Sequence, residues 1–163
     1  MKKILLISDT HGYIDDRIIQ YAKQSDETWH AGDIGELKVT DELKKVTTLR
    51  AVHGNIDNNK IRAEYPENLR FQIEEMKIWI THIGGYPNKY NQRIRQEINS
   101  NPPDIFICGH SHILKIINDK KLDLLHINPG AIGKHGFHHV RTMIRFEIMN
   151  SKIQNLEVIE FKR

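Results

Sequence analysis

Apolar and polar positions alternate in blocks along the chain, and each block is short. Lys3 to Ser8 is a continuous apolar run of Ile and Leu, the pattern of a strand covered on both faces. Asp15 to Gln24 follows with Ile18, Ile19 and Ala22 at helical spacing. Glu27 to His30 predicts a second strand, ending at Ala31-Gly32-Asp33. Asp41 to Val46 predicts a second helix with Leu43 and Val46 inward. Thr48 to Val52 predicts a third strand that stops at His53-Gly54-Asn55. This βαβαβ alternation is the signature of parallel strands in one sheet.

The pattern then changes. Leu69 to Glu74 and Lys77 to Thr81 predict a hairpin with its turn near Glu75-Met76. Tyr90 to Ile98 reads as a charged amphipathic helix, and Pro102-Pro103 separates it from a strand at Asp104 to Cys108. Further strands are expected at Leu114 to Asn118, Leu122 to Ile127, Thr142 to Met149 and Gln154 to Ile159. Asp119-Lys120-Lys121 and Asn150-Ser151-Lys152 supply turn chemistry between them. No repeat, low-complexity tract or linker interrupts the chain, so residues 1–163 read as a single domain.

Composition narrows the classes. Lys plus Arg total 24 against 21 Asp plus Glu, a formal net charge of +3. So small an excess provides no electrostatic track for nucleic acid. A single cysteine excludes a disulfide framework and any multi-thiolate metal site. No apolar run approaches the ~20 residues of a membrane span. Ser8-Asp9-Thr10-His11 ends the first apolar run too early for a signal peptide. The expectation is a cytoplasmic protein without membrane contact.

The candidate chemistry lies where strands end. In order come Asp9-Thr10-His11-Gly12, Gly32-Asp33, Gly54-Asn55, Thr81-His82 and Gly109-His110-Ser111-His112. In open α/β sheets, ligands bind in the crevice beyond the carboxyl ends of the strands. On extended backbone Asp9/His11 and His110/His112 would each present two donors to one side. The collected set is Asp9, His11, Asp33, Asn55, His82, His110 and His112. That is too many side chains for one tetrahedral ion, and it suits two ions sharing a carboxylate, with Asp33 as the candidate bridge. Without thiolates, Mn²⁺, Fe, Co²⁺, Ni²⁺ and Zn²⁺ all match the donors.

This motif series, in this order and spacing from residue 9 to residue 112, resembles that of the calcineurin-like metallophosphoesterase superfamily. Asn128-Pro129-Gly130 also resembles a segment of its small single-domain phosphodiesterase branch. The resemblance implies an α/β fold, a four-layer α/β/β/α sandwich of two facing mixed sheets. It assigns Asp9, His11, Asp33 and His112 to one ion and Asp33, Asn55, His82 and His110 to the other, with Mn²⁺ the first choice of metal. It also implies hydrolysis of small phosphodiesters by a bridging hydroxide. With only two carboxylates among the ligands, two divalent ions and that hydroxide leave a net charge of about +1, suited to a phosphoester oxygen. Small oligomeric members of the branch make a homo-oligomer compatible with the chain.

One position departs from the pattern. Ile56 stands where many members carry a histidine that protonates the leaving oxygen. The general acid is thereby left open between His11 and His53. The alternatives are a phosphomonoesterase or nucleotidase, and a non-catalytic protein-interaction scaffold of the same fold. The absence of an arginine from the motifs favours diesters over monoesters, although Arg93, Arg95 and Arg141 could reach the site through the fold. Tyr65, Tyr86 and Tyr90 could frame a cleft, but packing is the simpler reading. His135, His138 and His139 read as a solvated loop that, following Asn128-Pro129-Gly130, could border the site, His30 as packing behind the ligands, His126 as core, and Cys108 as a buried structural thiol.

Overall fold

The computed structural model describes residues 1–163. Strand β1 (Lys2–Ile7) shows the period-two logic of a sheet interior. Ile4 and Leu6 face one core, whereas Leu5 and Ile7 face another. Helix α1 (Asp16–Lys23) follows, its first turn capped by the Asp15 carboxylate accepting from the Ile18 N–H at 2.9 Å. Strand β2 (Glu27–His30) pairs parallel to β1, and β3 (Thr48–Ala51) pairs parallel to β2.

Helix α2 runs from Leu37 to Lys44, beginning four residues before the expected Asp41 and ending before Val46. Val39, Thr40 and Leu43 form its buried face, so the stripe that fixes the helix starts upstream of the acidic pair. Helix α3 (Asn59–Glu64) had no counterpart in the sequence pattern. Only Ile61 is buried along it, too little for a periodic signal, but the Asn58 side chain caps it at the Ile61 N–H.

The hairpin is present as β4 (Asn68–Ile73) and β5 (Met76–Thr81), with the turn at Glu74-Glu75 rather than Glu75-Met76. A two-stranded ribbon, β6 (Gly85–Tyr86) and β7 (Lys89–Tyr90), precedes the segment expected to be helical and takes its first residue, Tyr90. Helix α4 begins at Gln92 and runs to Ser100. Then come β8 (Ile105–Ile107), β9 (Leu114–Asp119), β10 (Leu124–Pro129), β11 (Val140–Met149) and β12 (Lys152–Lys162).

The strands form two five-stranded sheets, ordered β12-β11-β1-β2-β3 and β4-β5-β8-β10-β9. Both are mixed: in the first, β1, β2 and β3 run parallel on one side with β11 and β12 joined by antiparallel pairing on the other, and in the second a parallel centre of β5, β8 and β10 is flanked by antiparallel β4 and β9. Their facing sides share one core. Ile4, Leu6, Trp29 and Phe146 of the first sheet meet Ile78, Ile80, Ile107 and Ile127 of the second. On the outside of the first sheet Leu5, Ile7 and Met143 pack against Ile18, Ala22, Val39, Leu43 and Ile61 of α1 to α3. On the outside of the second, Trp79, Phe106 and Leu124 pack against Ile94 and Ile98 of α4. The result is the expected α/β/β/α sandwich. No helix is long and apolar enough to cross a membrane.

Candidate metal centre

The parallel strands β1, β2 and β3 end side by side in one sheet, and β5 and β8 end side by side in the other. Sheet stacking brings these ends together, as the contacts between their side chains show. Asp9 Oδ1 lies 3.2 Å from His112 Nε2, 3.8 Å from His11 Nε2 and 3.9 Å from His82 Nε2. Asp33 Oδ2 lies 3.2 Å from His82 Nε2 and 3.5 Å from His11 Nε2. Asn55 joins from the end of β3, its Oδ1 3.0 Å from His110 Nδ1. The acidic and imidazole donors fall into two clusters, Asp9–His11–His112 and Asp33–His82–His110, each close enough to hold an ion.

Three atoms of this cluster show what the site is suited to. Asp9 Oδ1, His11 Nε2 and His82 Nε2 are buried and have no hydrogen-bond partner. Such atoms carry a desolvation cost unless something outside the chain satisfies them. A carboxylate oxygen and imidazole nitrogens pointing into one spot are a donor set for borderline divalent metals.

The atoms behind them are fully engaged. Asp9 Oδ2 accepts from Ser8 Oγ at 2.6 Å and from the His110 N–H at 3.1 Å. His82 Nδ1 is 2.7 Å from the Ala31 carbonyl, so it carries a proton, and in the neutral ring Nε2 is the nitrogen left to act as a donor to a metal. Asp33 Oδ1 accepts from the Ile56 N–H at 3.1 Å, tying the β2 and β3 ends together.

Local backbone conformation is unusual here. Asp9, His11, Asp33, His110 and His112 all have positive φ, between 46° and 74°. Non-glycine residues adopt this region at a cost of about 1 kcal/mol or more each, and such strain concentrates at functional sites. Two glycines make the packing feasible. A Cβ on Gly54 would lie 2.1 Å from Asp33 Oδ1, and one on Gly109 would lie 2.1 Å from Ser8 Oγ and 2.7 Å from Asp9 Oδ2.

Electrostatics follow the geometry. Burial alone would raise the Asp9 carboxyl, but His11, His112 and His82 hold it well below the usual carboxylate range. Asp33 is lowered for the same reason, burial being outweighed by contact with His82. Burial pulls His82 down, yet its two carboxylate neighbours leave it raised. His110 is lowered by burial and by the neighbouring His82 charge.

Residues 1–151 match the sequence profile described as the calcineurin-like phosphoesterase superfamily domain. The chain belongs to that superfamily. A probable metallophosphoesterase of Methanothermobacter thermautotrophicus is 28% identical over 131 residues, covering 77% of this chain and 74% of the relative. Among solved structures, Vps29 of Entamoeba histolytica complexed with Zn²⁺ superposes with a TM-score of 0.75 at 16% identity, covering 98% of each chain. A structure described as a novel archaeal phosphodiesterase superposes at 0.67 with 22% identity, covering 96% of this chain and 99% of that one. At these identities both establish the fold.

Against this metallophosphoesterase frame, the remaining polar residues separate clearly. His53 is half-buried with Nδ1 2.8 Å from the Tyr65 carbonyl, and it lines a cavity with Asn55. His30 is fully buried behind the ligands, touching Thr10 Oγ1 at 2.9 Å and accepting from the Gly32 N–H at 3.1 Å. His126 and Cys108 are buried together, 3.5 Å apart. Arg141 is buried under α1, donating to the Ile132 carbonyl and Asp15, and Arg95 donates to the Tyr90 carbonyl. Of the three arginines considered, only Arg93 lines a cavity that includes site residues. Tyr90 is buried with its hydroxyl on Asp119, and Tyr86 bonds Ser111 between the two β8-end histidines.

His135 lies exposed in a loop, as expected, whereas His138 is partly buried. Their loop folds back over the centre, so the His135 ring sits 4.6 Å from that of His11 and the His138 ring 5.3 Å from that of His112. Asp57 was passed over altogether. Its carboxylate accepts from the N–H groups of Gly54 at 2.7 Å, Gly35 at 2.8 Å and Ile34 at 3.1 Å. It therefore braces the two loops that carry Asp33 and Asn55. The signal was present, since an Asp three residues after a strand-ending glycine is placed to cap its own turn.

Proposed function

We propose that this metallophosphoesterase is a phosphodiesterase holding two divalent ions, Mn²⁺ being the first candidate, within a single domain. Asp9, His11, Asp33 and His112 would hold one ion, and Asp33, Asn55, His82 and His110 the other, with Asp33 shared. The observation that carries this reading is the convergence of partnerless buried donors, Asp9 Oδ1, His11 Nε2 and His82 Nε2. When bound, the ions would supply a hydroxide nucleophile at neutral pH and Lewis-acid neutralisation of the phosphoryl oxygens.

The chain's own residues prepare the place. Ser8 and the His110 N–H orient the Asp9 carboxylate, and the Ala31 carbonyl fixes the proton on His82 Nδ1. With two carboxylates among the proposed ligands, the centre keeps a positive excess that favours an anionic ester. A cavity of about 500 Å³ opens over Asp33, Asn55 and His110 and includes the exposed apolar side chains of Ile113 and Phe137. Apolar walls beside a phosphate site favour an ester with organic groups on both sides, which is a diester. Proton delivery to the leaving group is open to His11 and His53, because Ile56 occupies the usual donor position and has no proton to give.

The test is hydrolysis of bis(p-nitrophenyl) phosphate and of p-nitrophenyl phosphate by metal-stripped protein, with and without Mn²⁺. Diester cleavage restored by Mn²⁺ and absent in Asp33→Ala is the expected outcome. Faster monoester cleavage would make it a monoesterase. Metal binding without turnover of either ester, under any divalent ion, would make it a scaffold.

A further inference from the structure

A second cavity, of about 160 Å³, adjoins the centre on its Asn55 and His82 side. Arg62, Arg93 and Glu67 contribute the charges of its wall. Arg62 reaches it from α3. Its Nε donates to the Asp57 carbonyl at 2.7 Å, and its Nη2 to the carbonyls of Asn55 at 3.2 Å and Gly54 at 3.3 Å. All these partners are neutral, and Nη1 has none. Arg93 is fixed by Nη2 on Thr81 Oγ1 at 3.0 Å and on the Ile83 carbonyl at 2.9 Å, while Nη1 pairs with Glu67 at 3.3 Å. Two guanidinium groups thus face one carboxylate.

An arginine whose charge is uncompensated, whose stem is immobilised by backbone and whose outer nitrogen is free is arranged to receive an anion. Its planar fork matches phosphate, and the ordering cost is already met by the contacts that hold it. We infer that this cavity is a subsite for a second phosphate group on the substrate, gripped by Arg62 and then by Arg93, with Glu67 limiting its affinity. The inference rests on the phosphodiesterase reading of the adjoining centre, and it narrows the substrate to diesters that carry a further phosphate.

The experiment compares, in the Mn²⁺-loaded protein, thymidine 5′-(p-nitrophenyl phosphate) with the same ester bearing a 3′-phosphate. The phosphorylated ester should have a kcat/KM higher by about tenfold or more, the worth of one charge-assisted hydrogen bond. Arg62→Ala and Arg93→Ala should each shrink that ratio, and Glu67→Gln should enlarge it. Arg93→Ala and Glu67→Gln leave the Arg62 bonds to the Gly54–Asp57 turn intact, so they decide the matter even if Arg62→Ala misfolds. A second readout, calorimetric binding of pyrophosphate to the metal-free protein, does not depend on turnover.

Equal rates on the two esters, or a preference untouched by Arg93→Ala and Glu67→Gln, overturn the subsite while leaving the esterase reading standing. No turnover of either ester removes the phosphodiesterase reading; pyrophosphate binding that is weakened by Arg93→Ala and strengthened by Glu67→Gln would then uphold the cavity as a phosphate site but overturn its role toward a diester, and no pyrophosphate binding would overturn the site itself.

Discussion

Asp57→Ala removes no proposed ligand, yet it should disable the centre. The carboxylate is buried, and it accepts three backbone N–H bonds, from Ile34, Gly35 and Gly54. Truncation strands these donors in a region that is largely buried. Each hydrogen bond to a charged acceptor contributes about 1.5–3 kcal/mol, and partial rehydration of the loops recovers some of it, so a net loss of about 3–5 kcal/mol is expected. That is a large share of the ~5–15 kcal/mol that keeps a domain folded. Asp57→Asn retains one acceptor oxygen and should lose about half as much, because its amide also sets a donor against a donor. Urea unfolding of metal-free protein, followed by fluorescence of the buried Trp29 and Trp79, gives both values. Mn²⁺ titration of the folded variants should show weaker binding, since Asp33 and Asn55 lose their common brace. A loss under ~1 kcal/mol for Asp57→Ala, with unaltered Mn²⁺ affinity, would refute the reasoning.

Gly109→Ala sets a methyl group 2.1 Å from Ser8 Oγ and should lower Mn²⁺ affinity by about 10–100-fold, the usual effect of disturbing a ligand's supporting contacts, as read by calorimetry. His30 is pushed by burial from 6.5 to about 4, so between those values the unfolded chain binds a proton that the native protein refuses. Stability should be fully present above pH 6.5, fall by about 3 kcal/mol as pH drops to about 4, and change no further from this group. The difference between native and His30→Gln protein in urea midpoints across that range isolates the effect, and a flat difference would contradict it. Cys108 is buried and its thiol is pushed up to about 12, so a water-soluble aromatic disulfide reagent should modify it only after unfolding. Rapid labelling of native protein would show that the strand opens.

The strands were legible because their residues repeat a simple rule. Ile, Leu and Trp runs end in Gly beside Asp, Asn or His, and these ends carry the proposed ligands. The ends of α2 are hard to read because Asp41, Glu42 and Lys44 interrupt its apolar stripe, and the buried Val39 and polar Thr40 that begin it make no clear period. Helix α3 escaped notice because one buried Ile61 and an asparagine cap make a helix without making a period. What sequence spacing cannot convey is the return of distant loops. His135 meets His11 because β10 and β11 lie in different sheets, and the crossing between them passes over the strand ends. Arg62 and Arg93 were unreadable as a pair for the same reason, since nothing in 30 intervening residues encodes that they share a cavity.

Strand β1 sits at the middle of its sheet, with β2 on one flank and β11 on the other. Lys2 is therefore opposite Ile148, across nearly the whole length of the chain. Proteins are made from the N-terminus onward, so β1, β2 and β3 can assemble early, but one edge of β1 stays bare until residues 140–149 have left the ribosome. During that interval Leu5 and Ile7 have part of their helical cover, while a row of unpaired amides lies open to any neighbouring chain. Strand β1, which leads into Asp9, is thus synthesised before the other eleven strands and among the last to be sealed, and the nascent chain is most vulnerable to mispairing next to its candidate metal centre.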